Sequence, residues 1–456
     1  MNFSEFIKSI KCKNIDVIGI GISNIPLIDL LSKNGAFVTA LDRRNREQLG
    51  SLADELENKG VRLALGEDYL EHISSELIFK TPGLRYDVPQ LEAARKRGAV
   101  ITSEMEIFCD VCPAKTIAVT GSDGKTTTTT LIGKILEAAG KKVWVGGNIG
   151  TPLLSKTPEI SPEDYVVLEL SSFQLHTMKH SPDIAVITNI TPNHLDMHKD
   201  YDEYINAKKN IMLYQNEDNV LVTNFSNEVT NKIGAESKAQ LRYFSSKADS
   251  FISLKDDCIY YGNEEILNIN DIKIPGMHNV ENYMAAIGAV YEIAGKDAVK
   301  KVAENFGGVE HRIEFVRELD GVKYYNSSID SSPNRTINTM RVFKEKLILI
   351  SGGKDKGIPY DELGPHLAEH VKTLILIGAT SDKILEALNN ETKKTGKGAD
   401  INVIKASDYE DAVNAARENA KSGDIVLLSS ASTSFDMFKN FEERGNLFKS
   451  IVNSLK

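Results

Sequence analysis

Short apolar runs alternate with amphipathic stretches along the whole chain, a pattern that predicts strands separated by helices. One series of strand-like runs, IDVIGIG, VTALD and LIFKTPG, lies within residues 15–83. A second, KTIAVTG, KKVWVGG, YVVLEL and IAVITNI, lies within residues 115–190, and a third, KLILISGG, VKTLILIG, INVIKA and DIVLLSS, within residues 346–430. Because such alternation is typical of parallel sheets covered by helices, we predict three consecutive α/β domains with mainly parallel sheets. Their expected bounds are residues 1–103, 104–309 and 310–456.

The composition is that of a folded chain rather than a disordered one. Of 456 residues, 41% are hydrophobic and 26% are charged, and the length suits domains of roughly 150 residues. The net charge of −10 gives no general attraction to polyanions, so no nucleic acid is expected as a partner. No apolar run reaches the roughly 20 residues of a membrane span, and MNFSEFIKSIKCKN lacks the apolar core of a signal peptide. We therefore expect a cytoplasmic protein with no membrane segment.

The four cysteines are too few to form a disulfide framework in a chain of this length. Cys109 and Cys112 have the C-x-x-C spacing that supplies half of a zinc site. Because no second pair follows them, two half-buried helix residues are the simpler interpretation.

The strongest local signal is GSDGKTTTTT, which begins at Gly121 and directly follows the strand-like run TIAVT. The apolar pattern after it predicts a helix. A strand, a glycine loop and a helix N-terminus together present backbone N–H groups to phosphate oxygens, so we expect a P-loop in the central domain. Lys125 would reach the terminal phosphates, and the Thr126 hydroxyl would coordinate Mg²⁺. The loop is shorter than the usual G-x-x-x-x-G-K-[ST], since two residues separate Gly121 from Gly124, and an ordinary strand-to-helix turn is the alternative.

Two carboxylates and two histidines lie at or after the ends of the next strands of the same domain. YVVLEL holds Glu169, and IAVITNI leads into TPNHLDMH, which holds His194, Asp196 and His198. Ligands collect at the carboxyl ends of strands in open α/β sheets, so these side chains are candidates for holding a metal ion or a phosphate. The alternative for each histidine is a structural or merely exposed residue.

The N-terminal segment GIGISN, residues 19–24, starts like a dinucleotide-binding fingerprint but has Asn24 at the third glycine position. Asp42 ends the next strand-like run, and Arg43 and Arg44 follow it. An acid at this position often binds a ribose and arginines suit a phosphate, so we expect a Rossmann-like domain that binds a nucleotide-like group. A tight turn without a ligand is the alternative.

Two further segments lie near the boundary between the second and third domains. PGMHNVENYMAAIGAVY predicts a helix whose first turn holds His278, Asn279 and Asn282, and VEHRIEF supplies His311 and Arg312. Unpaired helix N–H groups and amide side chains suit a base or a phosphate, and an arginine at a domain junction suits a nucleotide. An N-cap cluster and a solvated linker are the alternatives.

The third domain, which we also expect to be Rossmann-like, carries two loops suited to an anion. ISGGKDKG places Lys354 and Lys356 after one strand, and LLSSASTSFDMF places hydroxyl and backbone donors after another. The alternative for the second loop is a capped helix start. Taken together, the two loops favour one site for a carboxylate.

Eight strings in order along the chain resemble the Mur ligase family of ATP-dependent amide ligases: GSDGKTT, GGNIGTP, LELSSFQL, NITPNHLD, GMHNVEN, EHR, SGGKDKG and FKNFEERG. They span all three predicted domains. The resemblance implies an ATP-dependent acid–D-amino-acid ligase that forms a C–N bond. LELSSFQL and SGGKDKG favour the member that adds D-glutamate to UDP-N-acetylmuramoyl-L-alanine. The implied reaction passes through an acyl phosphate, in the cytoplasmic synthesis of peptidoglycan precursors.

The resemblance also implies a site for ATP and two Mg²⁺ ions. The implied ATP contacts are the loop residues and three later positions: Gly121, Ser122, Asp123, Gly124, Lys125, Thr126, Thr127, Asn279, Asn282 and Arg312. The implied Mg²⁺ ligands are Thr126, Glu169, His194 and Lys208, and the implied catalytic residues are Lys125, His194 and Lys208. Lys208 matches the family's carbamoylated lysine, whose carbamate is an anion able to meet Mg²⁺. The adjacent Lys209 is the less specific candidate.

Further positions match the family's substrate contacts. Those for the UDP-sugar are Ile22, Ser23, Asp42, Arg43, Thr81 and Gly83 in the first domain, and Asn148, Ser171 and Gln174 in the second. Those for D-glutamate are Ser331 and Lys356 for the side-chain carboxylate, and Ser429 or Ser430 with Phe435 or Phe438 for the α-carboxylate. The chain departs from the family's N-D-S-K-A-T-N at NSSIDSS, where Ser327 and Ile329 replace the aspartate and the lysine. Asp330 is the candidate to take over the lost contact to the ATP ribose.

Three other functions are compatible with the sequence. A related amide ligase with another acceptor, such as a folylpolyglutamate synthase-like enzyme, would keep the mechanism. A nucleotide-driven switch would hydrolyse ATP without an acceptor. A dehydrogenase would bind NAD(P) at residues 19–24, where Asn24 is unfavourable. We expect a monomer, since nothing in the sequence requires an oligomer.

Overall fold

The structure, a computed structural model, describes residues 1–192, 197–355 and 357–456. The chain folds as two compact units, one made of residues 1–269 and 280–302 and the other of residues 270–279 and 303–456. They contain three α/β domains, each with its own mainly parallel sheet, which confirms the predicted fold class.

The strands in the described residues are β1 Asn14–Ile18, β2 Phe37–Asp42, β3 Arg62–Leu65, β4 Leu77–Lys80, β5 Val100–Thr102, β6 Lys115–Thr120, β7 Val143–Gly147, β8 Tyr165–Glu169, β9 Ile184–Ile187, β10 Val220–Asn224, β11 Gln240–Ser245, β12 Ile252–Lys255, β13 Cys258–Tyr261, β14 Glu264–Asn268, β15 Glu314–Leu319, β16 Val322–Asn326, β17 Leu347–Ser351, β18 Val371–Leu376, β19 Asn402–Lys405 and β20 Ile425–Leu428. The α-helices are α1 Phe3–Ile10, α2 Asn24–Lys33, α3 Arg46–Leu49, α4 Ser51–Asn58, α5 Pro89–Lys96, α6 Glu104–Val111, α7 Lys125–Ala138, α8 Ser172–Leu175, α9 Tyr201–Lys209, α10 Glu228–Ala235, α11 Met277–Asn305, α12 Pro333–Met340, α13 Leu363–His370, α14 Ser381–Thr395, α15 Tyr409–Glu418 and α16 Phe441–Ser454. Short 3₁₀ helices span Tyr69–His72, Leu154–Glu159 and Ile269–Asp271.

The first sheet has five parallel strands in the order β3-β2-β1-β4-β5. The chain order reverses between β1 and β4, and ligands collect at the carboxyl ends of strands at such a switch point. Ile15, Val17 and Ile18 of β1 are almost fully buried, which explains why this strand is mainly apolar around the buried Asp16.

Nine strands form the second sheet, in the order β14-β13-β12-β11-β10-β9-β6-β8-β7. All neighbouring pairs are parallel except β12 with β13 and β13 with β14. The apolar pattern predicts β6 to β9, whereas β10 to β14 are not predicted. Polar residues such as Arg242 in β11 interrupt the apolar runs of this extension.

The third sheet has six strands in the order β15-β16-β20-β17-β18-β19. Only the edge strand β15 is antiparallel to its neighbour. Because β16, β20 and β17 are parallel neighbours, the loops that follow these strands meet at one edge of the sheet. That edge carries both loops predicted to bind an anion.

The helix predicted over residues 275–291 is longer in the structure. It is α11, Met277–Asn305, and it is interrupted at Gly295, where φ is 74° and ψ is 171°. None of the helices in the described parts of the chain combines the length and the apolar character of a membrane span.

Candidate active site

The phosphate loop connects β6 to α7, and its two glycines have backbone conformations that other residues avoid. Gly121 has a φ of 151°, and a Cβ atom built on it would lie 1.9 Å from Thr188 Oγ1. Gly124 has a φ of 79°, and its Cβ would lie 2.3 Å from Asn282 Oδ1. Glycine is therefore the residue that fits at both positions. The same contact brings Asn282, a predicted ATP contact, beside the loop.

Residues that follow β9 hold the loop in shape. The backbone N–H of Ser122 donates to the Asn189 carbonyl at 2.8 Å, and the N–H of Asp123 donates to the Asn189 side chain at 3.0 Å. The Thr188 hydroxyl donates to the Asp123 carbonyl at 2.6 Å. Neither Thr188 nor Asn189 is among the predicted site residues. The available signal was their position after β9, which is the neighbour of β6 in the sheet.

Lys125 begins α7 directly after the loop, and Thr126 and Thr127 follow it in the first turn. The Lys125 Nζ donates to the carbonyl oxygens of Gly121 and Ser122 at 3.0 and 2.9 Å, so the cation folds back onto the loop. Among the described residues, no side chain caps the N-terminus of α7. The first N–H groups of a helix have no partner within it, and with Lys125 they form a positive end suited to phosphate oxygens.

Glu169 is the last residue of β8, the strand beside β6. Its side chain is buried, and Oε1 accepts a hydrogen bond from Asn148 at 2.7 Å. Oε2 is buried and has no hydrogen-bond partner in the described part of the chain. Because a buried carboxylate oxygen without a partner is costly, a bound cation would stabilise it. Glu169 therefore fits the predicted Mg²⁺ site, and Asn148, a predicted substrate contact, orients it.

Lys208 lies on α9 and reaches the same loop from another side. It is 2% exposed, and its Nζ donates to the Gly121 carbonyl at 2.7 Å. Burial and repulsion from Lys125 hold the pKa of Lys208 well below its usual range, although Glu169 attracts the charged form. The structure therefore brings Lys208, Lys125 and the phosphate loop together. By contrast, Lys209 points to the surface, where it pairs with Glu236.

Tyr204 is a site residue that the sequence did not indicate. It lies four positions before Lys208 on α9, so both side chains share one face of the helix. The Lys208 Nζ lies 4.7 Å from the centroid of the Tyr204 ring, and the hydroxyl groups of Tyr204 and Ser122 share a hydrogen bond of 2.9 Å. The i, i+4 spacing from Lys208 was the available signal.

Some predicted residues lie outside the described ranges, so their roles stay predictions: His194, Asp196 and Lys356. The nearby His198 is described, and it is 4% exposed. Its Nε2 lies 3.0 Å from the Ser172 hydroxyl, and its Nδ1 lies 3.4 Å from a carboxylate oxygen of Glu203. These surroundings are those of a packed structural histidine.

In the first domain, Asp42 joins the ends of β1 and β2. Its Oδ2 accepts hydrogen bonds from the Ile20 N–H at 2.7 Å and from Arg44 at 2.8 Å. Burial opposes ionisation, but the hydrogen bonds from Arg44 and Ile20 outweigh it and lower the pKa of Asp42. Arg43 points outward and pairs with exposed Glu67 at 2.7 Å. Of the two predicted UDP-sugar contacts, Asp42 is therefore buried and Arg43 is exposed at the surface.

The other predicted first-domain residues follow β1 and β4, the strands at the switch point. Ile22 is 84% exposed, which is unusual for an apolar side chain, and Ser23 and Gly83 are also exposed. The Thr81 N–H donates to the Ile18 carbonyl at 3.0 Å and so ties the two strand ends together. The exposed positions leave this edge open to a ligand.

Asn24 explains the incomplete glycine fingerprint. It is buried, and its amide donates to the carbonyl oxygens of Ile18 and Gly19 at 3.0 and 2.8 Å. A dinucleotide-binding turn uses glycine here for close packing of helix on strand. In this chain the Asn24 amide instead donates hydrogen bonds to carbonyl groups at the end of β1. This difference does not favour the dehydrogenase alternative.

Ser171 and Gln174 form a capping box at the start of α8, directly after β8. The Ser171 N–H donates to the Gln174 side-chain oxygen at 3.0 Å, and the Gln174 N–H donates to the Ser171 hydroxyl at 3.3 Å. This pairing gives both residues a structural role. Their contact with substrate stays a prediction.

Asn279 and Arg312 belong to the second compact unit, whereas the phosphate loop belongs to the first. The Asn279 side chain donates to the Pro275 carbonyl at 2.7 Å, and the Arg312 N–H donates to the Val309 carbonyl at 2.9 Å. Their contacts with ATP stay predictions.

Asp330 connects the loops after β16 and β20 within the second unit. It is buried, and its Oδ2 accepts hydrogen bonds from Thr339 at 2.7 Å and from Ser429 at 2.8 Å. Burial raises the pKa of Asp330, against hydrogen bonds from Ser327, Thr339 and Ser429. The hydroxyl of Ser429, a predicted D-glutamate contact, therefore already donates a hydrogen bond inside the domain.

Arg444, within the motif FKNFEERG, joins the same two loops. It is fully buried, and it donates to the Ser328 hydroxyl and carbonyl at 2.9 and 2.7 Å and to the Ser432 carbonyl at 3.1 Å. The motif was the available signal, but no role was predicted for this arginine.

The remaining predicted D-glutamate contacts differ in their exposure. Ser331 is half-buried and donates to a carbonyl of its own loop, and Ser430 is buried. Phe438 packs against Tyr409, with ring centroids 5.3 Å apart, whereas Phe435 is 61% exposed. Of the two aromatic alternatives, Phe435 is the one open to a ligand.

The glycine loop between a strand of a parallel sheet and an uncapped helix is the architecture of a P-loop protein. Residues 119–290 match the model of the Mur ligase middle domain, and residues 311–432 match the Mur ligase, glutamate ligase domain. The chain belongs to the Mur ligase family.

Relatives and solved structures agree with this assignment. UDP-N-acetylmuramoylalanine--D-glutamate ligase of Acetivibrio thermocellus is 53% identical, and the enzyme of the same name from Ruminiclostridium cellulolyticum is 52% identical, each over 99% of both chains. The crystal structure of UDP-N-acetylmuramate-alanine ligase from Thermotoga maritima has a TM-score of 0.57 and 19% identity, and it covers 97% of this chain and 100% of that chain. At that identity, the structural likeness concerns the fold alone.

Proposed function

We propose that this chain is the ATP-dependent ligase that adds D-glutamate to UDP-N-acetylmuramoyl-L-alanine, in the cytoplasmic synthesis of peptidoglycan precursors. The observation that carries the proposal is the convergence of Lys125, Lys208 and the buried Glu169 around the phosphate loop. The identity of about half over the full length to ligases named for D-glutamate supports the choice of acceptor.

The chemistry requires an activated carboxylate, because a carboxylate is a poor electrophile. A carboxylate oxygen of the substrate forms a bond to the γ-phosphorus of ATP, the bond from that phosphorus to the bridging oxygen breaks, and ADP leaves. The amine of D-glutamate then attacks the acyl carbon, phosphate leaves, and the nitrogen loses a proton. The products are the amide, ADP and phosphate.

The loop residues would offset the repulsion between the two anions that meet in the first step. Lys125 and the N-terminus of α7 would hold the phosphates. Thr126 and Glu169 would hold one Mg²⁺ and His194 a second, and Mg²⁺ when bound neutralises charge on the phosphate and carboxylate oxygens. The buried Oε2 of Glu169, which has no partner within the described residues, is the observation that fits a cation.

Lys208 would carry a carbamate. Its neutral amine adds to CO₂, a C–N bond forms, and a proton is released to solvent, so the neutral side chain becomes an anion. The buried position of the Nζ beside the Gly121 carbonyl places this anion next to the phosphate loop. A carboxylate-like group there would serve as a further ligand for a second Mg²⁺.

Each domain would hold one reactant. Residues 1–103 would bind the UDP-sugar, 104–309 would bind ATP, and 310–456 would bind D-glutamate, with the protein working as a monomer. The exposed Ile22, Ser23 and Gly83 support the first assignment. The loops joined by Asp330 and Arg444 support the third, because they form a rigid edge beside the exposed Phe435.

The decisive experiment measures ADP release with UDP-N-acetylmuramoyl-L-alanine present and compares D-glutamate, L-glutamate, other amino acids and no acceptor. We expect ADP release that requires both the UDP-substrate and D-glutamate. Release with a different amino acid would keep the mechanism but overturn the acceptor. Release without any acceptor would favour a nucleotide-driven switch.

A further inference from the structure

Helix α13 carries the sequence HLAEH, in which His366, Glu369 and His370 share one face. Within the described residues 1–192, 197–355 and 357–456, these three side chains place one possible ligand atom each within 4.8 Å of one another. The histidines are one helical turn apart, and their rings stack with centroids 6.2 Å apart. Histidines at i and i+4 on a helix are a recurrent metal-binding arrangement.

The two histidines are suited to act as ligands. His366 Nδ1 is buried and has no hydrogen-bond partner in the described chain, while Nε2 accepts from Arg341 at 3.2 Å. An imidazole binds a metal ion through a ring nitrogen that carries no proton.

The helix position separates this cluster from the predicted D-glutamate loops. His370 is the last residue of α13, and Val371 begins β18 directly after it. The cluster therefore lies at the amino end of a parallel strand. The loops after β17 and β20 lie at the carboxyl ends, on the opposite edge of the same sheet.

We propose that His366, Glu369 and His370 form a site for a divalent transition-metal ion of the zinc class. Two imidazoles and one carboxylate are a set that zinc accepts, with water in the fourth position. Mg²⁺ and Ca²⁺ prefer oxygen ligands, so this set selects against them.

Arg341 opposes metal binding, because its hydrogen bond to His366 Nε2 must break when a metal binds. A metal on His366 Nε2 removes the acceptor of the Arg341 hydrogen bond. A metal on Nδ1 leaves the remaining proton on Nε2, which can then no longer accept. Binding at either nitrogen therefore breaks this contact, and removal of the arginine side chain should favour the metal.

The test uses the full-length protein freed of metals, in buffer with Mg²⁺, titrated with zinc in a calorimeter. We expect one zinc ion that binds at least about tenfold more weakly to His366→Ala and to His370→Ala, since loss of even an outer partner costs about 10–100-fold. His180→Ala is the matched control and should bind as the parent does. Thermal unfolding of each variant shows whether it is folded.

Two further measurements keep the proposal falsifiable if a histidine variant unfolds. Arg341→Ala should bind zinc more tightly than the parent, and unchanged or weaker binding would overturn the proposal. Cobalt in place of zinc should show no thiolate charge-transfer band, and such a band would point to Cys109 and Cys112 instead. Absence of zinc binding, or equal binding by the parent and by folded histidine variants, would also overturn it.

Discussion

Lys208 and Lys125 donate hydrogen bonds to the same backbone oxygen, the carbonyl of Gly121, at 2.7 and 3.0 Å. Two cations cannot share one acceptor without strong repulsion in a buried site. The more buried of the two, Lys208, is the one whose pKa falls well below its usual range. The shared acceptor therefore accounts for the direction of this shift, which favours the neutral amine of Lys208 beside the phosphate loop.

Lys208→Ala is expected to lose most of the ligase activity, because it removes the amine that would carry the carbamate. Part of the activity should return when a short-chain carboxylic acid is added, since the acid can enter the space left by the side chain. The measurement is ADP release with and without the acid. Lys209→Ala is the control, because Lys209 lies beside it but pairs with Glu236 at the surface. Full activity of the Lys208→Ala protein would remove Lys208 from the mechanism.

Glu169→Gln should weaken the response to Mg²⁺ by at least roughly 10–100-fold, because an amide cannot replace a carboxylate as a metal ligand. ADP release measured across a range of Mg²⁺ concentrations gives the shift. Glu159→Gln removes an exposed carboxylate that pairs with Lys156, and it should leave the Mg²⁺ dependence unchanged. If both variants have the same Mg²⁺ dependence as the parent, Glu169 is not a ligand.

Gly124→Ala should weaken nucleotide binding by more than the cost of placing alanine in this backbone conformation. A residue other than glycine costs roughly 1–2 kcal/mol in the left-handed region, and here the added Cβ also meets Asn282 Oδ1 at 2.3 Å. Gly140→Ala is a matched control, because Gly140 has a φ of 77° and no atom within 4 Å of the added Cβ. We expect a raised KM for ATP in Gly124→Ala only. Equal effects would mean that the close contact is relieved by movement of Asn282.

Because Glu104 is buried, we expect the free energy of unfolding to depend on pH. It is buried at the start of α6, and burial raises the pKa of Glu104 to about 7, against a hydrogen bond from the Leu154 N–H. Between the ordinary glutamate pKa of 4.5 and the raised pKa of about 7, the folded state keeps a proton that the unfolded state loses. The free energy of unfolding therefore falls as pH rises through this window and levels off above it.

Glu104→Gln should remove this fall, which is on the order of 3 kcal/mol at about 1.4 kcal/mol per pKa unit. Urea unfolding at about pH 5 and about pH 8 measures the difference for parent and variant. Glu137→Gln, at an exposed position of α7, is the control and should keep the parent's dependence. A parent whose stability is the same at both pH values would contradict the prediction.

Arg85 is expected to stabilise the contact between the loop after β4 and helix α9. It binds Asp87 at 2.8 Å and Glu203 at 3.1 Å, and Glu203 also lies near His198. Arg85→Ala should lower the free energy of unfolding by about 1.5–3 kcal/mol, the range for hydrogen bonds to charged groups. Arg46→Ala removes an arginine that also pairs with two carboxylates, Asp54 and Glu57, but at the exposed surface, and it should have little effect. Equal losses in urea unfolding would show that the partial burial of Arg85 is unimportant.

The strands at the centre of each sheet could be predicted because they are buried on both faces and so are mainly apolar in sequence, as β17 is. The strands β11 to β14 escaped because their burial is partial, and polar residues such as Arg242 pair with distant partners that local patterns do not reveal. The length of α11 escaped for a related reason, since its second half continues past Gly295 without a local signal.

The residue order alone was enough to indicate the alternating elements, the glycine loop with Lys125, and the carboxylate at the end of β8, because each depends on neighbours close in the chain. Tertiary structure decided which side chains meet: that Arg44 rather than Arg43 binds Asp42, that Thr188 and Asn189 hold the phosphate loop, and that Ser429 bonds to Asp330. It also decided that Lys208, far along the chain from Gly121, shares an acceptor with Lys125. These contacts depend on which strand ends are neighbours in the sheet and on how deeply each side chain is buried. The local periodicity of the sequence reveals neither the strand order nor the depth of burial.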